Sequence, residues 1–263
     1  MHDRRQEEPM SHVRRLVGVG LGPGDPELLT CRAIRVLGEA GLVLVPPGEE
    51  TEASGLPETV VRSHLGEAAP VVALDVPAGE ESEEVVDSAL ESGAVEAVTR
   101  AFAAGTQTVV FATLGDPSVY SVFGRVTRAV LDRDPRVEVE VVPGITAMQA
   151  LAAASRTPLV EGTESLTLVP ATAGLATFTD ALEHSDTVVA YRGGRYLAAM
   201  HGELSRRGRL DGAVLGEHVG LADECITALD RASHGEGPAG LASPPSSHAT
   251  TVIVPAARED RRR

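Results

Sequence analysis

The sequence predicts an α/β protein, because short apolar segments typical of strands alternate with helical segments along most of the chain. Two further observations favour this class. The apolar run 108–112 is β-branched and aromatic without polar alternation, which is typical of a strand buried in a parallel sheet. Loops rich in glycine and proline follow several of the predicted strands. The length of 263 residues suits one large domain or two small ones.

The first half of the chain predicts five strands with helices between them. The strands are expected at 13–19, 42–45, 71–74, 108–112 and 137–142, and the helices at 26–39, 56–65, 80–104 and 118–131. Asp25 is a suitable N-cap for the first helix, and Pro26 is favoured at its first position. Pro46 and Pro47 end the second strand.

The second half predicts a different pattern, in which strands are more frequent along the chain. Strands are expected at 165–169, 187–191, 212–215, 224–228 and 250–254, and helices at 146–154, 175–183 and 194–207. This pattern indicates a second α/β domain with a mixed sheet. We therefore expect domains at 13–140 and 141–257, a disordered tail at 1–12 and a basic tail at 258–263.

Composition excludes several classes of function. The net charge of −15 argues against a nucleic-acid partner, and all 23 basic residues are arginine, so no lysine amine can act in catalysis. No apolar run approaches the roughly 20 residues of a membrane span, and the charged first 15 residues do not resemble a secretory signal. Cys31 and Cys225 lack metal-ligand spacing, which predicts reduced thiols, no metal site and a cytoplasmic protein.

The first loop contains four alternating glycines, Gly18 to Gly24, directly after a predicted strand. A dinucleotide-binding loop would need glycine where Pro23 stands and an acidic residue at the end of the next strand. A phosphate-binding loop of the Walker type would need lysine. The loop is therefore either a tight strand-to-helix turn or a backbone surface for another kind of ligand.

Three more loops follow the carboxyl ends of predicted strands, where open parallel sheets bind ligands. Their sequences are GDPSVYS, VPGITA and YRGG. Asp116 in the first of them either caps the following helix or binds a hydroxyl or ammonium group.

Taken together, these motifs resemble the tetrapyrrole methylase family, the S-adenosylmethionine-dependent methyltransferases of corrin and sirohaem synthesis. The resemblance covers residues 16–255 and consists, in order, of VGLGPGDPELLT, TLGDPSVYSVF, VEVVPGITAMQALAA, VVAYRGGR and TTVIVP. TLGDPSVYSVF and RTPLVEGTESLTLVPAT resemble most closely the members that methylate C20 of precorrin-2 or cobalt-precorrin-2. The motifs leave open whether the ring already carries cobalt.

The resemblance implies two α/β domains of the tetrapyrrole methylase type, a homodimer, and an active-site cleft between the domains. It also implies S-adenosylmethionine as donor, with S-adenosylhomocysteine as product. The implied donor-binding residues are Pro23, Leu114, Gly115, Asp116, Val119, Tyr120, Ser121, Thr146, Ala147, Tyr191, Arg192, Glu217, His218, Ala249 and Thr250.

A tetrapyrrole with several carboxylates requires local positive charge on this acidic chain. The implied substrate-binding residues are Gly20, Gly22, Gly24, Asp25, Arg32 and Arg125. No residue has the sequence neighbours of a catalytic base, and Tyr120 is the one candidate we name for that role. Arg192 stands where relatives of this group often carry lysine.

Two alternatives remain open from the sequence. A methyltransferase of the same fold could act on another position or another tetrapyrrole, such as uroporphyrinogen III. In a different class, the chain could bind S-adenosylmethionine or a nucleotide without catalysis. Turnover of a precorrin distinguishes the second alternative from the first.

Overall fold

The computed structural model describes residues 13–47, 55–76, 82–232 and 250–258. The described residues form two compact units. The first comprises 13–21, 30–47, 57–76 and 82–144, and the second comprises 22–29, 55–56, 145–232 and 250–258. The glycine-rich segment 22–29 therefore clusters with the second unit, although it follows the first strand of the first unit. The predicted tail at 1–12 and residues 259–263 of the predicted basic tail lie outside the described residues.

The first unit contains a five-stranded parallel sheet. Its strands are β1 (Arg15–Gly20), β2 (Leu42–Val45), β3 (Val71–Ala73), β4 (Thr108–Thr113) and β5 (Glu138–Val142), in the order β3-β2-β4-β1-β5. Its helices are α1 (Cys31–Gly38), α2 (Leu56–Leu65), α3 (Glu83–Ala103) and α4 (Phe123–Arg133). Leu16, Val109 and Phe111 on the central strands pack with α3 and α4 in one apolar core. Strands without polar alternation are thus buried, as predicted.

The second unit contains a five-stranded mixed sheet, which confirms the predicted fold class. Its elements are α5 (Ala147–Ser155), β6 (Leu166–Pro170), α6 (Leu175–His184), β7 (Thr187–Tyr191), α7 (Leu197–Arg207), β8 (Val214–Glu217), β9 (Cys225–Ala228), α8 (Leu229–Ala232) and β10 (Thr250–Val254). The order is β6-β7-β10-β8-β9, with β6 and β7 parallel and the other pairs antiparallel. Phe178, Met200 and Leu204 lie at the centre of the core beneath this sheet.

Among the element boundaries that differ from the prediction, three have an identifiable local cause or setting. The segment predicted as one helix at 26–39 is a short 3-10 turn, Pro26–Leu28, followed by α1, because the Thr30 hydroxyl accepts a hydrogen bond from the Ala33 amide and starts a new helix. The helix predicted at 118–131 begins at Phe123, after a turn. The strand predicted at 212–215 is displaced to β8, since Gly212 has a φ of 73° that belongs to a turn.

None of the helices in the described ranges combines the length and apolar character needed to cross a membrane.

Candidate functional site

The loops after three neighbouring strands meet at one edge of the first sheet. Because β4, β1 and β5 are adjacent and parallel, Gly115, Gly20 and Gly144 at or beyond their carboxyl ends come together. A Cβ atom on Gly144 would lie 2.1 Å from the Gly115 carbonyl oxygen and 2.8 Å from the Gly20 Cα. Backbone thus packs directly on backbone, and only glycine fits.

Asp116 fixes two of these loops to each other. Its carboxylate accepts hydrogen bonds from the Gly144 amide at 2.9 Å, from the Ser118 amide at 2.8 Å and from the Ser118 hydroxyl. The side chain is buried, and burial alone would raise its pKa. The hydrogen bonds from Ser118 and Gly144 outweigh burial and lower the pKa below its usual value. Asp116 is therefore an ionised carboxylate that holds the loop after β4 against the loop after β5.

The rest of the loop after β4 leaves side chains accessible. Leu114, Val119 and Ser121 are half-buried, whereas Tyr120 is 46% exposed. The Ser121 hydroxyl accepts a hydrogen bond from the Phe123 amide at 3.2 Å, just before α4 begins. Tyr120 has a φ of 49°, in the left-handed region.

The second sheet has a comparable edge, where β7 and β8 end and β10 begins. Because β10 lies between β7 and β8 and runs antiparallel to both, Thr250 pairs with Glu217, and Thr251 pairs with Tyr191. The predicted residues Tyr191, Glu217 and Thr250 are thus brought to the same edge of this sheet. Ala249, also predicted, lies outside the described residues.

Tyr191 joins the end of β7 to the start of α5. Its hydroxyl oxygen accepts a hydrogen bond from the Met148 amide at 3.2 Å. Burial raises the pKa of Tyr191, and the hydrogen bonds from the Thr146 side chain and the Met148 amide offset part of that rise. Thr146 and Gln149 form a capping box at the same helix start. The predicted residues Thr146 and Ala147 are therefore held beside Tyr191.

Glu217 and His218 follow on the neighbouring strand end. Burial raises the pKa of Glu217, and the charge of His218 lowers it in part. The His218 Nδ1 atom lies 2.5 Å from an Asp223 carboxylate oxygen. The His218 Nε2 atom is buried and has no hydrogen-bond partner within the described ranges. A buried nitrogen without a hydrogen bond lowers the stability of the fold unless another group, such as a ligand, bonds to it.

Thr250 contributes to the turn after β7 and offers little surface. It is buried, its hydroxyl accepts a hydrogen bond from the Gly194 amide at 2.7 Å, and its carbonyl accepts one from the Arg192 amide at 2.9 Å. Thr250 thus positions the turn that presents Arg192 and Arg195.

Left-handed backbone marks the predicted site. Among the described non-glycine residues, positive φ angles occur at Tyr120, Arg156, Arg192 and His218. Such a backbone conformation costs of the order of 1 kcal/mol or more per residue, and it concentrates at functional sites. Three of the four residues are ones that the sequence motifs assign to the donor.

The predicted substrate residues divide into two groups. Gly20, Gly22 and Gly24 are buried, and the Asp25 carboxylate accepts a hydrogen bond from the Glu27 amide at 2.8 Å. Arg32 and Arg125 are engaged with carboxylates of the chain itself: Arg32 lies 2.7 Å from Glu140, and Arg125 contacts Glu84, Asp87 and Glu91.

Sequence reasoning missed two side chains that organise this region. Asp223 orients His218, and Leu221 packs against the glycine-rich segment 22–29. The contact between His218 and Asp223 could have been predicted, because the two residues are only five positions apart in one loop. No sequence signal connects Leu221 with Gly24.

No group of three or more His, Cys, Asp or Glu side chains within the described ranges is arranged to hold a metal ion.

The two sheets, with loops and isolated polar side chains at edges where strands end, define a two-unit α/β protein whose strand ends are the usual location of ligand sites in such folds. The sequence model of the Tetrapyrrole (Corrin/Porphyrin) Methylases matches residues 15–232. The chain belongs to the tetrapyrrole methylase family, as the motifs indicated.

Individual relatives agree with this assignment. A precorrin-2 C(20)-methyltransferase from Sinorhizobium sp is 33% identical over 232 residues, which are 86% of this chain and 92% of that protein. A cobalt-precorrin-2 C(20)-methyltransferase from Salmonella typhimurium is 31% identical over 80% of this chain and 86% of its own length. A uroporphyrin-III C-methyltransferase from Thermus thermophilus, solved in complex with S-adenosylhomocysteine, has a TM-score of 0.57 and 26% identity, with 92% of this chain and 97% of that chain covered.

Proposed function

We propose that this protein methylates C20 of precorrin-2 or cobalt-precorrin-2 in corrin biosynthesis, with S-adenosylmethionine as donor and S-adenosylhomocysteine as product. The observation that carries the proposal is the strained backbone at Tyr120, Arg192 and His218, three positions that the resemblance to the family assigns to the donor. The relatives from Sinorhizobium and Salmonella supply the position, C20, through their names.

The residues at the second sheet edge fit an adenosyl group. The unpartnered His218 Nε2 atom needs a hydrogen-bonding group, which an adenine amino group or a ribose hydroxyl can provide. The Glu217 carboxylate can accept hydrogen bonds from ribose hydroxyls. Thr146, Ala147, Tyr191 and Arg192 complete the donor-binding residues that we propose on this unit. Because Thr250 is buried and bonded to Gly194, we assign it a positioning role in the turn.

On the first unit, we propose that the loop after β4 binds the amino-acid end of the donor. Leu114, Gly115, Val119, Tyr120 and Ser121 provide its surface. Asp116 acts on this loop through its hydrogen bonds to Ser118 and Gly144, which keep the backbone groups in place. We retain Pro23, in the glycine-rich segment, as a further donor-binding residue.

The donor, when bound, supplies an activated methyl group on a positively charged sulfur. The chain itself contributes orientation and exclusion of water, since transfer depends on alignment of the reacting atoms. Preorganised loops serve this purpose well, because backbone packing at Gly20, Gly115 and Gly144 leaves little freedom. We propose Tyr120 as the residue that accepts the proton released from C20, because its side chain is exposed and therefore accessible to the substrate.

The tetrapyrrole carries carboxylates, and guanidinium groups are their natural partners on a chain without lysine. Arg195 and Arg156 are exposed on the second unit, and Arg156 has a left-handed backbone. Arg32 and Arg125 would have to exchange carboxylates of the chain for those of the substrate. We propose that Gly20, Gly22, Gly24 and Asp25 provide backbone and polar contacts to the ring.

We further propose that the protein is a cytoplasmic homodimer. The family resemblance supports the dimer, and the reduced cysteines support the compartment. Light scattering on the purified protein tests the dimer directly.

The function is tested by incubating the purified protein with S-adenosylmethionine and one tetrapyrrole at a time, under exclusion of oxygen. The substrates are precorrin-2, cobalt-precorrin-2 and uroporphyrinogen III, and mass spectrometry follows addition of a methyl group. We expect methylation of one of the first two. Methylation of uroporphyrinogen III alone would show that the enzyme acts on another tetrapyrrole and not on C20 of precorrin-2. Donor binding without any turnover would favour a protein that binds the donor without catalysis.

A further inference from the structure

The glycine-rich segment 22–29 packs on a loop of the second unit. This loop, residues 218–224, connects β8 to β9 and follows the proposed donor-binding residues Glu217 and His218. Its partners in the segment are Pro23 to Pro26. Two sets of residues that are distant in sequence are thus neighbours within one compact unit.

The packing is tight at two glycines. A Cβ atom on Gly24, whose φ is 142°, would lie 2.5 Å from the Leu221 Cδ2 atom and 3.5 Å from the Gly220 carbonyl oxygen. A Cβ atom on Gly220 would lie 2.9 Å from the Pro23 Cγ atom and 3.3 Å from the Asp25 amide nitrogen. Each loop therefore presents a bare backbone position to a side chain of the other.

The loop 218–224 is fixed by its own hydrogen bonds. The Leu221 amide donates to the His218 carbonyl at 2.9 Å, and the Glu224 amide donates to the Leu221 carbonyl at 3.0 Å. The Glu224 carboxylate accepts from the Gly220 amide at 2.8 Å, and Asp223 holds His218. None of these bonds uses the Leu221 side chain, so the loop can keep its conformation without that side chain.

Where it faces the loop 218–224, the glycine-rich segment has few neighbouring side chains. Beside the contact lies an open surface depression of about 420 Å³, lined by Asp25, Pro26, Gly220, Leu221, Ala222 and Glu224. The Leu221 side chain is the side chain nearest to a Cβ atom built on Gly24, and the space beside it is open.

We propose that Leu221 is a positioning residue for the tetrapyrrole: its side chain sets the position of the segment Gly22–Asp25, which binds the ring, while the donor-binding residues other than Pro23 stay in place. The proposal rests on the proposed function, because it takes this segment as the tetrapyrrole-binding surface. Leu221 itself does not contact the reacting atoms.

The proposal predicts that the two ligands respond differently to loss of the side chain. In Leu221→Ala the segment loses its contact with the Leu221 side chain and shifts, so the KM for the tetrapyrrole rises about fivefold or more while kcat changes little, as for a loss of uniform binding. The Kd for S-adenosylhomocysteine stays within about twofold of the wild-type value, because the hydrogen bonds that hold His218 persist and Pro23 is the one proposed donor-binding residue in the segment that moves.

The experiment compares wild type with Leu221→Ala, Leu221→Met and Leu210→Ala. Steady-state kinetics give the KM and kcat for the tetrapyrrole, calorimetry gives the Kd for S-adenosylhomocysteine, and thermal unfolding gives the Tm. Leu210 is a matched control, since it is also a partly buried leucine of the second unit but packs on the core beneath the sheet. We expect Leu221→Met to restore the wild-type KM and Leu210→Ala to lower only the Tm.

An unchanged tetrapyrrole KM in Leu221→Ala would overturn the proposal. So would a rise in KM that is matched by an equal rise in the Kd for S-adenosylhomocysteine, because that result indicates general loosening. A spectroscopic titration with the tetrapyrrole separates this failure from failure of the proposed function. If wild type binds the ring more tightly than Leu221→Ala but transfers no methyl group, the reaction is wrong and the positioning role holds; if wild type binds no tetrapyrrole, both are wrong.

Discussion

The two sheet edges are built in different ways. At the edge of the first sheet, backbone packs on backbone where Gly20, Gly115 and Gly144 meet, and one carboxylate, that of Asp116, joins the loops. The edge of the second sheet is formed instead by single polar side chains at the ends of three strands, among them Tyr191, Glu217 and His218. The first edge tolerates no added atom, whereas the second depends on individual hydrogen bonds.

This difference sets the expected order of mutational effects. An added Cβ atom at the first edge must displace backbone, which moves several loops at once. Loss of a hydroxyl at the second edge removes one hydrogen bond of about 1 kcal/mol. Four substitutions test the comparison, from the largest expected effect to the smallest.

Gly144→Ala tests the backbone edge most severely. Its Cβ would lie 2.1 Å from the Gly115 carbonyl oxygen, so the loops after β4 and β5 must separate. We expect a loss of stability of about 3 kcal/mol or more, at the upper end of overpacking effects, and a loss of methyl transfer of about 100-fold or more. Chemical denaturation and an initial-rate assay measure the two quantities.

Gly202→Ala is the control for this substitution. Gly202 lies exposed in α7, and an added Cβ meets nothing within 4 Å. Alanine is favoured over glycine in a helix by roughly 0.5–1 kcal/mol, so stability should rise slightly with activity unchanged. Equal losses in both variants would contradict the account of the first edge.

Asp116→Asn tests the carboxylate that joins the loops. An amide nitrogen facing the Gly144 or Ser118 N–H group replaces an acceptor with a donor, which should cost about 1–3 kcal/mol and lower the rate about tenfold or more. Because hydrogen bonds lower the folded-state pKa, the stabilisation is complete above the usual value of 3.8 and is lost as the pH falls through the folded pKa.

Unfolding free energies measured between neutral and acid pH check this sign. The wild type should lose more stability than Asp116→Asn as the pH falls below about 4. The same acid dependence in both proteins would show that the Asp116 carboxylate contributes nothing through ionisation.

Tyr191→Phe tests the side-chain edge. The variant leaves the Met148 amide without its partner and frees the start of α5, at a cost of about 1 kcal/mol. We expect the Kd for S-adenosylhomocysteine to rise about threefold to tenfold, which corresponds to about the same free energy. Tyr196→Phe, in the turn before α7, is the control and should leave the Kd unchanged. A larger loss than in Gly144→Ala would invert the comparison.

Glu140→Gln should have the smallest effect. Glu140 lies 2.7 Å from both Arg15 and Arg32, and these hydrogen bonds lower its pKa. The ion pairs are partly exposed, so their loss should cost between about 0 and 1 kcal/mol and leave kcat unchanged. A fall in the tetrapyrrole KM would support the proposal that Arg32, once released, binds the substrate, whereas a larger loss of stability would contradict the expectation.

Much of the first edge could be predicted from the sequence, since glycine and proline at the ends of apolar runs specify both the strand ends and the close approach of backbone. GDP after β4 and VPG after β5 are readable in this way. Less of the second edge could be predicted, because its residues stand singly at the ends of strands whose pairing is decided by the fold. The sequence resemblance provided Tyr191, Glu217 and His218, but not Asp223.

The remaining differences between the sequence-based expectations and the structure each have a specific physical cause. The segment 26–39 has continuous helical character, yet the cap at Thr30 divides it, and the threonine before Cys31 was the available signal. The contact of Leu221 with Gly24 joins two loops far apart in sequence, so no local pattern could predict it. The substrate-binding roles of Arg32 and Arg125 stay predictions; the fold pairs both residues with acidic side chains, which the sequence did not indicate.

The central claim is methyl transfer to C20, and one measurement tests it most directly. The protein is incubated with precorrin-2 or its cobalt complex and with S-adenosylmethionine that carries an isotopic label in the methyl carbon, and the product is examined by carbon NMR. The account predicts a single labelled methyl group bonded to C20. A labelled methyl group on any other ring carbon, or an unlabelled ring beside a protein that still binds the donor, would contradict it.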